Sequence, residues 1–181
     1  MIHLRKAEYP FSQEYRIEIA ATTETYRARD RIVQFWPHSQ SSAPNVFWGG
    51  HDGPGKDPGF LNVFGNMVIE PLPEFAVRAV RFDYKHDQDF DSLARRHGTP
   101  SLSLGQVVAL SREALNDEHL QPVFGDHLNL FFVHDTKGVI WCVDVLSSFR
   151  PTRKYAILGV APKDTGCCFH RENFMITPDL E

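Results

Sequence analysis

Between residues 128 and 146 the apolar positions follow a period of two. Leu128, Leu130 and Phe132 interleave with Asn129, Phe131 and Val133, the signature of a β-strand. Asp135-Thr136-Lys137-Gly138 interrupts the run with a glycine free to take positive φ. Val139 to Leu146 resumes it with β-branched and aromatic residues. Both strands carry apolar residues on both faces, which predicts a central hairpin covered on each side.

The same reading extends along the chain. Tyr15 to Ile19 alternates and predicts a first strand; Arg31 to Trp36 predicts a second, closed by Pro37. Residues 22–30 match no period, since Tyr26, Ala28 and Arg29 suit neither helix nor strand. Phe60 to Phe64 and Met67 to Glu70 read as short strands around a Gly65-Asn66 turn. From Phe75 to Lys85 the parity of the apolar set switches between Ala79 and Val80, which predicts a β-bulge. Two helices follow. Residues 87–97 place Phe90, Leu93, Ala94 and His97 on one face, with acidic residues early and basic residues late. Residues 103–116 open with Ser103-Leu104-Gly105-Gln106, a capping box, and continue with a stripe of Val107, Val108, Ser111, Ala114 and Leu115. Tyr155 to Val160 and Phe174 to Ile176 complete the strands. The expected fold is α+β: a mainly antiparallel sheet with two consecutive helices, about 87–97 and 103–116, packed on it. No repeat or long linker divides the sequence, so residues 1–181 are expected to form a single globular domain.

Composition narrows the functional classes. A net charge of −4 disfavours polyanionic partners, nucleic acid among them. No apolar run approaches a membrane span, and Met1 to Lys6 begins no signal peptide. Three cysteines, two of them adjacent, make no disulfide framework, so a reducing cytoplasm is the expected location.

The linear patterns fail on geometry or spacing, while Asp144 is left as either a structural ion pair or an acid in a pocket. Residues 50–57, GHDGPGKD, nearly spell a phosphate-binding loop. Asp57 stands where a hydroxyl should meet magnesium, and Pro58-Gly59 follows where a helix must begin. His127 and His134 are an odd number of residues apart on one strand, so they point to opposite faces and do not share a metal. Cys167 and Cys168 diverge in extended backbone and have no C-x-x-C partner. Asp144, flanked by Val143 and Val145, needs a partner if covered; Arg150, Arg153 and Lys154 are the nearest cations in sequence. We therefore expect no cofactor and no metal.

Two functional classes remain. The preferred expectation is a non-enzymatic cytoplasmic protein-binding module of the kind bacterial immunity proteins exemplify, neutralising a basic toxin domain by direct binding; this is an analogy of class alone. Its surface would be the glycine-rich loop of residues 49–59: Trp48 and Phe60 as aromatic anchors, His51, Asp52, Lys56 and Asp57 as a polar rim. The alternative is a hydrolase or transferase with a dispersed site drawn from His127, His134, Asp144 and Cys167.

Overall fold

The central hairpin forms as its alternation dictates, and a large sheet is assembled around it. The computed structural model describes residues 5–6, 14–34, 45–48, 59–81, 90–97, 101–125, 128–150, 153–162 and 174–179. In chain order the elements are β1 (Arg5–Lys6), β2 (Glu14–Ile19), β3 (Tyr26–Arg27), α1 (Ala28–Arg31), β4 (Val33–Gln34), β5 (Asn45–Trp48), α2 (Phe60–Phe64), β6 (Val68–Ile69) and β7 (Phe75–Arg81). Then come α3 (Phe90–His97), β8 (Ser101–Leu102), α4 (Leu104–Asn116), a 3-10 turn (Glu118–Leu120), α5 (Gln121–Phe124), β9 (Leu128–His134), β10 (Ile140–Arg150), β11 (Arg153–Pro162) and β12 (Phe174–Pro178).

Among the described residues, ten strands share one sheet in the order β1-β2-β7-β12-β9-β10-β11-β5-β4, with β8 attached to β9; β3 and β6 form a separate pair. β9 and β10 lie in the interior of that order. Asp135 to Gly138 makes their turn, with Gly138 at φ 77°. Alternate residues feed two cores. Phe131, Val133, Val143 and Val145 join the main core; Leu130, Phe132, Cys142 and Met175 form a second one on the opposite face. Cover on both faces is what the two-sided apolar pattern requires.

The expected mainly antiparallel sheet is overturned: the sheet is mixed. β4–β5, β5–β11, β12–β9 and β8–β9 all run parallel. The cause is visible at β8. This two-residue strand precedes α4, and the chain returns through α4 and α5 to lie parallel beside it as β9. The segment is a strand–helix–strand crossover, the connection a parallel pair needs. The two helices are also not one layer. α4 buries Leu104, Val107, Val108, Leu110, Ala114 and Leu115 in the main core, whereas Ala94 of α3 packs against the second.

Several local expectations change too. Phe60–Phe64 is a helix, not a strand; the Phe60 and Phe64 rings pack one turn apart in a tilted pair, centroids 5.6 Å, and both are buried. Only Val68–Ile69 of the next expected strand is extended. The strand expected from Arg31 is preceded by α1 and reduced to Val33–Gln34 within the described residues. There is no bulge at Ala79-Val80. β7 pairs residue for residue with β12 and β2, and Val80 is buried opposite Met175, on the other face from Val77 and Ala79. The parity switch records a strand apolar on both faces. The capping box of α4 forms as expected: Ser103 Oγ accepts from Gln106 N at 3.1 Å, and Gln106 Oε1 accepts from Ser103 N at 2.9 Å. Its stripe is buried, with the Ser111 hydroxyl donating to Val107 O at 2.7 Å. Among the described residues, no helix is long and apolar enough to cross a membrane.

Candidate functional site

A cleft of about 320 Å³ opens between α4 and the extended segment that leaves β2. Its position follows from how that segment is held. Thr22 N donates to Leu72 O at 2.9 Å, and Leu72 N donates to Thr22 Oγ1 at 3.0 Å. This reciprocal pair pins one side of the cleft while Ala20, Ala21 and Thr23 remain exposed. The floor is apolar: Ile19 from β2, Ile69 from β6 and Ala109 from α4. A Cβ at Gly105 would lie 3.2 Å from Ile69 Cγ2, so glycine lets the first turn of α4 close on β6.

The wall is charged. Tyr26, on β3, has the guanidinium carbons of Arg112 and Arg31 at 5.5 and 5.6 Å from its ring centroid, cation–π distances. Glu24 holds both cations, with Arg112 Nη1 at 3.3 Å and Arg31 Nη1 at 3.8 Å. These pairs are partly exposed, so each stabilises the fold little; their effect is to fix the ring. Burial pushes the Tyr26 hydroxyl above its ordinary range; the two arginines pull it back only in part. It stays a neutral donor at physiological pH. Glu113 lines the same cleft from α4.

A second arrangement lies at the end of the central hairpin. His134 Nε2 is 3.0 Å from Ser101 Oγ, and its Nδ1 is 3.3 Å from Gly138 O. With the ring proton on Nδ1 donated to that carbonyl, Nε2 accepts the serine proton.

The residues singled out in the sequence do not converge. Trp48 and Phe60 are buried members of the main core, so neither offers a partner an exposed aromatic anchor. His51, Asp52, Lys56, Asp57, His127 and Cys167 lie outside the described residues, as does the near phosphate-binding loop. Asp144 pairs with Leu130, four residues along β9 from His134 and roughly 13 Å away at strand rise. Arg150 and Arg153 pair at the end of the β10–β11 hairpin, six residues on from Asp144 and roughly 20 Å along the strand. The Asp144 carboxylate lies over Gly159. Among the described residues no three His, Cys, Asp or Glu side chains converge as a metal site.

Sequence reasoning missed the cleft because its charged wall joins residues 88 positions apart, Glu24 and Arg112. The one available signal was Tyr26, an aromatic in a stretch with neither helical nor strand period. Comparison with protein-family models, curated proteins and solved structures found no match.

Proposed function

We propose that the protein is a non-enzymatic module that binds another protein in the cytoplasm, in the manner of an immunity protein that occupies and neutralises a basic toxin domain. The supporting observation is the cleft beside α4. It combines an apolar floor, a ring fixed by two guanidinium groups and an exposed extended segment, which together supply the apolar surface and orienting polar groups of a recognition site. The net charge of −4 favours approach of a basic partner, and an unpaired number of cysteines suits a reducing compartment. The test is a photo-crosslinking amino acid placed at Ala109 in producing cells, with Val139 at the exposed hairpin turn as the control. The expected result is a discrete adduct with one basic protein from position 109 and none from 139. Absence of an adduct at 109, or the same adducts at both positions, refutes the reading.

The Ser101–His134 contact supports a second reading, a hydrolase with a serine nucleophile and a histidine base oriented by Gly138 O. A fluorophosphonate probe should then label Ser101 in the native chain and lose that label in His134→Gln. Labelling no faster than that of an exposed serine such as Ser103 removes this alternative.

A further inference from the structure

We propose that Asp135 completes a serine–histidine relay, acting on His134 through the peptide group that joins Gly138 to Val139. The inference rests on the hydrolase reading above for its use, and adds a positioning residue to that site. Ser101 Oγ lies 3.0 Å from His134 Nε2, and His134 Nδ1 lies 3.3 Å from Gly138 O. A carbonyl only accepts, so the neutral ring carries its proton on Nδ1 and turns the Nε2 lone pair to the serine. The same peptide group is held at its other end, where Val139 N donates to Asp135 Oδ1 at 2.9 Å. The peptide is trans, so its N–H and C=O point in opposite directions, one to the carboxylate and one to the imidazole. The order is carboxylate, peptide, imidazole, hydroxyl.

Asp135 follows His134 in the chain, yet its oxygens bond the turn and not the ring. Oδ1 also accepts from Lys137 N at 2.8 Å, and Oδ2 accepts from Trp141 Nε1 at 3.0 Å. Two effects then reach the imidazole. The turn fixes where the Gly138 carbonyl sits, and so sets the tautomer and the orientation of the ring. That is the part a carboxylate plays when it bonds a catalytic histidine directly. The carboxylate also polarises the peptide, strengthening its carbonyl as an acceptor by roughly 10–30%. Ser101 and His134 are each half-buried, so the pair is open to a substrate. With a fluorophosphonate, Ser101 Oγ bonds phosphorus, fluoride departs from it, and the Oγ proton moves to His134 Nε2.

The experiment reads two quantities on the full chain. Nitrogen NMR of labelled histidine reports the His134 tautomer, and the rate of fluorophosphonate labelling at Ser101 reports its use. Neutral His134 is expected to carry its proton on Nδ1. Asp135→Ala should move that proton to Nε2 and slow Ser101 labelling by about tenfold, a fraction of what a positioned base contributes. Asp135→Asn keeps an oxygen for the two amides, so it should retain the Nδ1–H form with an intermediate rate. Asp117→Ala removes a comparable carboxylate cap, on His119 N at 2.8 Å, and should change neither quantity. Amide spectra outside the hairpin turn report that each variant keeps the fold. A native Nε2–H form, a tautomer unmoved in Asp135→Ala, or no rescue in Asp135→Asn overturns the relay. A tautomer that follows Asp135 as expected, with Ser101 labelled no faster than Ser103, overturns the hydrolase reading alone.

Discussion

Two glycines in this fold stand where a side chain would be unfavourable, for opposite reasons. At Gly138 an added Cβ would meet nothing within 4 Å, but φ is 77°, so the cost of alanine there is backbone strain alone, roughly 1–2 kcal/mol. At Gly159 the backbone is unremarkable, but a Cβ would sit 2.8 Å from Asp144 Cγ and closer still to Oδ1. Gly159→Ala should therefore destabilise the protein, and Asp144→Ala in the same chain should recover part of the loss. Denaturant melts of the two single variants and the double one measure that coupling; strict additivity would show that the residues do not contend for the same space. Asp135 fixes the turn beside Gly138: Oδ1 accepts from Lys137 N at 2.8 Å and Val139 N at 2.9 Å, and Oδ2 accepts from Trp141 Nε1 at 3.0 Å. Desolvation pushes this carboxyl up, but the three donors and the Lys137 charge outweigh it and hold it below the usual carboxylate range. A folded-state pKa below the unfolded one stabilises the protein above the ordinary carboxylate pKa and ceases to do so as pH falls through the depressed value. Between about pH 5 and pH 2.5 the native chain should lose stability more steeply than Asp135→Asn, as urea midpoints at each pH will show.

At the level of the element, legibility followed length and capping. α4 was readable because thirteen residues repeat the helical period behind a capping box. Ser103→Ala should cost about 1 kcal/mol, measured by thermal melting, because it removes the acceptor for Gln106 N. The five apolar or polar-neutral residues of α2 were not readable as helix: FLNVF suits either period, and only the Phe60–Phe64 contact with the core decides it. β7 misled in another way. Its change of parity has two physical explanations, an extra residue or burial on both faces, and a single sequence does not say which. β8 is two residues long and carries no period at all, yet it turns the following helix into a crossover and its neighbour into a parallel partner. The cleft is likewise assembled by elements too short to announce themselves, β3 and β6 above all.

At the level of the whole molecule, the sheet has an unusual keystone. β12 lies between β7, which it meets antiparallel, and β9, which it meets parallel. Among the described strands it is the one that joins β1-β2-β7 to the larger group that begins at β9. Asp179, just beyond it, ties this position down: its nearly buried carboxylate pairs with Arg16 of β2, and its amide donates to Ala76 O at 3.1 Å. That placement has a consequence for how the protein is made. During synthesis the two groups of strands emerge from the ribosome first, each with an open edge, and the strand that closes both edges emerges more than ninety residues after β7. The incomplete sheet must be kept from pairing with other chains throughout that interval. A chain stopped before residue 174 should accumulate as chaperone-bound or aggregated protein, and adding a synthetic peptide of residues 174–179 should rescue soluble protein; native-like solubility of the shortened chain without the peptide would show that the closing strand is dispensable.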